Sequence, residues 1–152
     1  MANDRTIVYI SEEHDSITKE WAKDNSFYNF RDAENKEIFL LAASKGYRLY
    51  DPNMKPSFRR SSGGYFRESY LNKNDYATIY ALYMDKIGKI EDLVNKEVIL
   101  SFAEIAAYNG FKVLMDEMGN SAKENFEKRK IATELDKQYE QIGQKHDKAA
   151  CE

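Results

Sequence analysis

In Lys36–Arg48, KEIFLLAASKGYR, a long apolar stripe, a helix stop and the start of a basic aromatic loop follow one another without a gap. Ile38, Leu41, Ala42 and Lys45 fall three and four apart, and Phe39, Leu40 and Ala43 widen the stripe. This spacing predicts a helix buried on more than one face. Gly46 stands where a helix end favours a left-handed residue. Before it, RTIVYI (5–10) reads as a short strand, with Thr6, Val8 and Ile10 on one face and Arg5, Ile7 and Tyr9 on the other. Ser11 is placed to cap a helix running to about Asp24, with Glu12 and Glu13 in its first turn and Ile17 and Trp21 as core anchors. Asn25-Ser26 ends it, Phe27, Tyr28 and Phe30 form an aromatic connector, and Asp32 is placed to cap the next helix.

Residues 46–72 are the longest stretch without periodicity. They hold both prolines, Ser61-Ser62 and Gly63-Gly64. A loop of this length in a small domain is usually functional or disordered. Strands near Phe58–Arg60 and Tyr65–Glu68, turning at SSGG, would make it a hairpin. A helix resumes near Asn74, with Tyr76, Ile79, Tyr80, Tyr83 and Ile87 on one tyrosine-rich face and Gly88 as its stop. Lys89–Val94 forms a short turn of helix, and Asn95 caps a helix whose expected buried face is Val98, Phe102, Ile105 and Ala106. Asn109-Gly110 reads as an interruption, Phe111, Leu114, Met115 and Met118 continue at helical spacing, and Gly119 ends the segment. Ser121 and Glu124 match the S-x-x-E capping box of a final helix over about 122–145. Its apolar residues, Phe126, Ile131, Leu135, Tyr139 and Ile142, make a thin seam of the kind that packs on a partner helix.

Composition narrows the classes. At 152 residues the chain fits one ordinary domain. Its 42% hydrophobic and 32% charged content favours a helical protein with large solvated faces. The expected fold is mainly α: a compact helical domain over 1–119 with one or two short β-strands, and a projecting charged amphipathic helix and tail over 120–152. The net charge of −3 supplies no global argument for a nucleic-acid partner. One cysteine, Cys151, excludes a disulfide framework within the chain, and no Cys/His metal spacing exists. The N-terminus lacks a signal-peptide layout, and no unbroken apolar run reaches the ~18 residues of a membrane span, so a cytoplasmic protein is expected.

The chemistry-bearing feature is local. Between Lys45 and Arg67 there are six basic residues, Lys45, Arg48, Lys55, Arg59, Arg60 and Arg67, and Asp51 is the single acid. Tyr47, Tyr50, Phe58, Tyr65 and Phe66 are interleaved with them. Cations neutralise phosphates and aromatic rings stack on bases or fill protein pockets, so the loop suits DNA backbone or an acidic partner surface. The alternative is a loop folded onto the core, its Arg residues paired to acids of the last helix. The strand–helix–helix order at the N-terminus is also that of ribbon-helix-helix DNA binders, which would make a homodimeric regulator. Neither face of RTIVYI carries the polar run needed to read bases, however. No nucleophile–base pair is apparent: His14 and Asp15 are sequence neighbours and face different directions on a helix. Gly63-Gly64 has no following Lys-Ser/Thr for a phosphate loop. The chain reads as non-catalytic, without metal, cofactor or small-molecule substrate.

Three segments carry a family resemblance. KEIFLLAASKGYR resembles a "DVFLLAA-x-LG[FY]" helix, DYATIYALYMDKIGKIEDLVNKEVIL resembles a helix of the type "xxxLxALALxxTGDxExLxDxxxVL", and AEIAAYNGFKVLMDEM resembles an "EEYANGGxxxLxE" ending. In order and spacing, over roughly Ser26–Met118, the chain is similar to the family of Dnd system-associated protein 4. These are small accessory proteins found beside prokaryotic DNA phosphorothioation and antiphage defence genes. The chain departs from the pattern in its longer, Tyr/Arg-rich loop after Tyr47, in Asn109-Gly110 lacking a second glycine, and in Lys89. The resemblance implies a cytosolic defence locus whose other members include SMC-like ATPases, helicases and nucleases. It supplies no catalytic residue. The expected function is an accessory or adaptor subunit, docking through the basic loop, the Tyr76/Tyr80/Tyr83 face and the C-terminal seam.

Overall fold

The structure, a computed structural model, describes residues 5–22, 30, 32–53 and 63–150, with helix backbone alone at 120–127 and 145–150. The elements are β1 (Ile7–Val8), α1 (Glu12–Trp21), α2 (Asn35–Gly46), β2 (Phe66–Arg67), α3 (Lys73–Lys86) and α4 (Lys96–Ala150). Single 3-10 turns lie at Tyr47–Leu49, Glu68–Tyr70 and Ile90–Val94. The expected mainly-α domain with short strands is therefore the fold.

The local rules hold at most helix starts and stops. Ser11 Oγ accepts from the His14 N–H at 3.1 Å. Asn72 and Asp75 cap α3 reciprocally, at 2.9 and 2.8 Å. Gly88 ends α3 in the left-handed region, φ 77°, a conformation that costs a residue with a Cβ about 1–2 kcal/mol. α2 is capped by Glu34 rather than Asp32, and the Glu37 carboxylate accepts the Glu34 N–H at 3.0 Å.

The core is built on α2 crossing the first half of α4. Phe39, Ala42 and Ala43 of α2 and Leu100, Phe102, Ala103, Ala106, Ala107, Phe111 and Leu114 of α4 are all buried in one core. Two glycines sit at the crossing. A Cβ on Gly46 would strike the Ala106 carbonyl and the Gly110 backbone, and a Cβ on Gly110 would strike the Ala42 carbonyl. Gly46 is therefore not a left-handed stop: its φ is −112°, and the chain runs on into the Tyr47–Leu49 turn. It is glycine because two helix backbones touch there.

Asn109-Gly110 does not interrupt α4 either. Asn109 is buried and its Nδ2 donates to Leu49 O at 3.2 Å, so the pair serves tertiary packing within an unbroken helix. The same helix passes through Gly119 and Ser121 without a stop or a new cap. Glycine inside a helix costs only ~1 kcal/mol, which a 55-residue helix absorbs. The buried face of α4 is also broader than Val98, Phe102, Ile105 and Ala106. Val98 and Ile105 are only half-buried, and Ile99, Leu100, Ala103, Phe111 and Leu114 join the core. By length and composition Lys96–Gly119 would pass for a membrane span, yet 61% of its most apolar 18-residue window is buried inside the protein itself. Its apolarity is that of a central core helix.

β1 pairs antiparallel with β2, Ile7 opposite Arg67 and Val8 opposite Phe66. Val8 and Ile10 point inward, as the alternation requires. Arg5 anchors the segment. It forms an ion pair with Glu104, lies 3.4 Å from both Glu97 and Ser101 Oγ, and donates from Nε to Ile7 O at 3.3 Å.

Candidate functional site

The exit of α2 is the described part of the basic loop, and its charges are spoken for. Lys45 Nζ lies 3.0 Å from Glu117 of α4. Tyr47 Oη donates to Asp85 of α3 at 2.6 Å and accepts from Arg48 Nε at 3.0 Å, while the Arg48 guanidinium lies 5.6 Å from the Tyr47 ring centre. The three side chains thus stitch α2 to α3 and α4. Tyr65, expected beside them as a binding residue, is instead buried at 6% exposure, and burial pushes its phenol up to about 12. Arg67 is exposed, beside a groove of about 440 Å³ lined by Thr6, Ile7, Glu68 and Ser69. Lys55, Arg59, Arg60 and the expected strand at Phe58–Arg60 lie outside the described residues.

The tyrosine-rich face of α3 turns inward. Tyr83 is 2% exposed, its ring is edge-on to Phe102 at 5.1 Å, and its hydroxyl donates to Asp92. Tyr76 is half-buried and donates to Glu68, which also receives Lys96 Nζ at 3.1 Å. Tyr80 is half-buried against the core, 5.8 Å from the Tyr76 ring. Burial, and then the carboxylate each one faces, raises the phenols of Tyr76 and Tyr83 well above the ordinary tyrosine value. The face expected to dock a partner is therefore largely consumed by the protein's own packing: helical periodicity marks which residues share a face, not what covers it. Tyr83→Phe is expected to lower stability by about 1–3 kcal/mol by stranding the Asp92 carboxylate. Urea unfolding checks this, and an unchanged midpoint would refute the bond's contribution.

The seam on α4 remains open. Ile131, Leu135, Tyr139 and Ile142 are 61%, 50%, 75% and 57% exposed, on a stretch in which every described residue from Lys128 to Gln144 is exposed. Their steps of four, four and three place them along one side of the helix. The side chain of Phe126 lies outside the described residues. Its step of five to Ile131 turns ~140°, off the line of the other four.

No family model, no curated protein and no solved structure matches this chain. The site must be argued from its own geometry.

A second cavity, about 530 Å³, opens at the start of α2 beside Tyr65, Phe66 and Tyr70. Its cation, Lys36, is held by Asp75 at 3.0 Å and by Tyr70 O at 3.1 Å. Among the described residues, no three His, Cys, Asp or Glu side chains gather to hold a metal. The strand of the strand–helix–helix order that resembles a ribbon-helix-helix protein pairs within the chain, β1 on β2.

Sequence reasoning missed two buried polar groups. On α1 the buried residues are His14 and Thr18, whereas Ile17 is half-exposed and Trp21 only partly covered. Ser11, His14, Thr18 and Trp21 step by three, four and three, so the periodic signal was present but carried by polar residues. The Arg5–Glu104 pair bridges 99 positions and leaves no local trace.

Proposed function

We propose that the protein is a non-catalytic adaptor whose docking element is the projecting half of α4. The observation that carries the reading is the exposure of Ile131, Leu135, Tyr139 and Ile142 along one side of a helix otherwise covered with charge. An apolar stripe of this kind gains free energy only when a second surface covers it. Residues 128–144 span about 25 Å at helical rise, enough to lie in a groove or along one partner helix. The resemblance to the accessory proteins of DNA phosphorothioation and antiphage defence loci names the setting: a cytosolic multi-protein complex containing an ATPase, helicase or nuclease. Contact with DNA backbone, through Arg67 and the basic residues 55–60, is a secondary role within that reading.

The test is co-purification and size-exclusion chromatography with the products of neighbouring genes. A heteromeric peak supports the adaptor; a homodimer that binds its own promoter sinks it. Leu135→Asp combined with Tyr139→Ala is expected to weaken the complex at least tenfold, about 1.4 kcal/mol. It should leave the melting temperature of the free protein nearly unchanged, because surface substitutions usually fall within ~0.5 kcal/mol. A complex indifferent to both changes would move docking away from the seam.

A further inference from the structure

Helix α1 holds to the rest of the fold through very few side chains. Of its ten residues only His14 and Thr18 are buried, and Trp21 adds a partial contact, stacked on Phe30 at 5.4 Å and tilted toward Phe111 at 6.4 Å. At the centre of this seat is an ionisable ring. His14 is 2% exposed, and its imidazole lies 5.0 Å from both the Tyr108 and Phe111 rings of α4. Its Nδ1 is buried with no hydrogen-bond partner among the described residues. Two charged groups among the described residues act on it: Glu13, next to it on its own helix, favours the imidazolium, and Lys112 on α4 opposes it. Lys112 is held in place, its Nζ 4.4 Å from the centre of the Tyr108 ring.

We propose that α1 is an acid-released latch: protonation of His14 undocks α1 from α4 and uncovers the Tyr108–Phe111 surface while the α2–α4 core stays folded. The neutral ring packs as an aromatic disc. The protonated ring is a buried cation with two N–H donors, one of them aimed at no acceptor, and with a lysine nearby. Burial lowers its titration below the ordinary 6.5, Glu13 draws it part of the way back, and Lys112 lowers it further. The direction of the pH effect follows. The undocked imidazole takes a proton as pH falls through 6.5, whereas the docked one resists until lower pH. The docked state keeps its full advantage above that value. Below it, the docking equilibrium constant falls toward tenfold per pH unit, until the docked ring itself titrates.

Trp21 is the chain's only tryptophan and rides on α1, so its emission reads the latch directly. In the full-length protein, taken from about pH 8 to about pH 5, the emission should shift red with onset near 6.5. Helical circular dichroism should change little, and amide exchange should rise in residues 11–22 but not in 96–114. His14→Phe keeps a ring in the seat without a titrating group and should flatten the response. His14→Leu serves if that variant folds poorly, and His146→Gln should leave the response intact. Glu13→Gln should move the midpoint to lower pH and Lys112→Gln to higher pH. Three outcomes overturn the proposal: an acid shift that survives both His14 substitutions, loss of all helix in one step, or a wild-type His14 ring resonance titrating at or above 6.5.

Discussion

Gly110→Ala is expected to destabilise the protein by about 3 kcal/mol or more, although alanine is the better helix former. The added methyl meets the Ala42 carbonyl of α2, a backbone group that cannot rotate aside. Either the helices separate, opening gaps around Phe39 and Phe102, or one backbone distorts. Gly46→Ala meets the same crossing from the other helix, against Ala106 and Gly110, and should have a comparable effect. The control lies in the same helix. A Cβ on Gly119 or Gly143 has nothing within 4 Å, so alanine there should stabilise by up to ~1 kcal/mol through helix propensity alone. Thermal denaturation decides between them. A drop in Tm of roughly 6–12 °C for Gly110→Ala, against a small rise for Gly119→Ala, is the expected pattern. Parallel behaviour of the two variants would refute the close crossing.

Arg5→Met should cost about 3–5 kcal/mol, the effect of leaving a buried charge without its partner. The Arg5 and Glu104 side chains are 9% and 6% exposed, and the stranded carboxylate of Glu104 would sit against the core face of α4. Arg5 also holds Ser101 and Glu97, so its removal frees β1 as well as Glu104. The double variant Arg5→Met with Glu104→Met should recover most of the loss, because an apolar pair of similar volume is often as stable as the buried ions it replaces. Urea unfolding of the two single variants and the double separates the two costs. If the double variant is as unstable as Arg5→Met, the pair itself stabilises the fold and the desolvation argument fails. Exchange of the Ile7 and Val8 amides checks that β1 loosens in the single variant.

Both cases involve residues whose role was misread or invisible along the chain. Gly46 follows an apolar stripe, and by local rules a glycine there ends a helix in the left-handed region. Gly88 does this, and was legible for that reason. Gly46 and Gly110 obey a different constraint, the distance between two helix axes. Each has a small residue four positions before it, Ala42 and Ala106, but that spacing is common and does not announce its partner. Gly119 and Ser121 carried the strongest local stop and start signals in the second half of the chain, and α4 passes through both. Propensity and capping contribute about 1 kcal/mol each, too little to break a helix anchored along its first half by the core.

The tyrosines of α3 and the hydrophobic seam of α4 make the same point about the site. Both are apolar faces at helical spacing. Tyr83 is covered by Phe102 and Asp92, whereas Leu135 is covered by nothing described, and no property of either residue distinguishes them. The density of charge around the seam was the one useful signal, since a helix with so few apolar residues cannot serve as a core helix. Along the basic loop, alternating cations and rings were visible, but their occupation by Glu117 and Asp85 was not.

The hydrophobic periodicity, the caps at Ser11 and Asn95, and the stop at Gly88 were enough to establish a mainly helical protein and several of its helix starts. These are interactions within one turn, and three or four consecutive residues specify them. The glycine crossing of α2 and α4, the Arg5–Glu104 pair, the burial of His14 and the inward turn of Tyr83 belong to the packed fold. Each depends on groups far apart in the chain meeting at a distance that local preferences do not encode, so each had to await the assembled core.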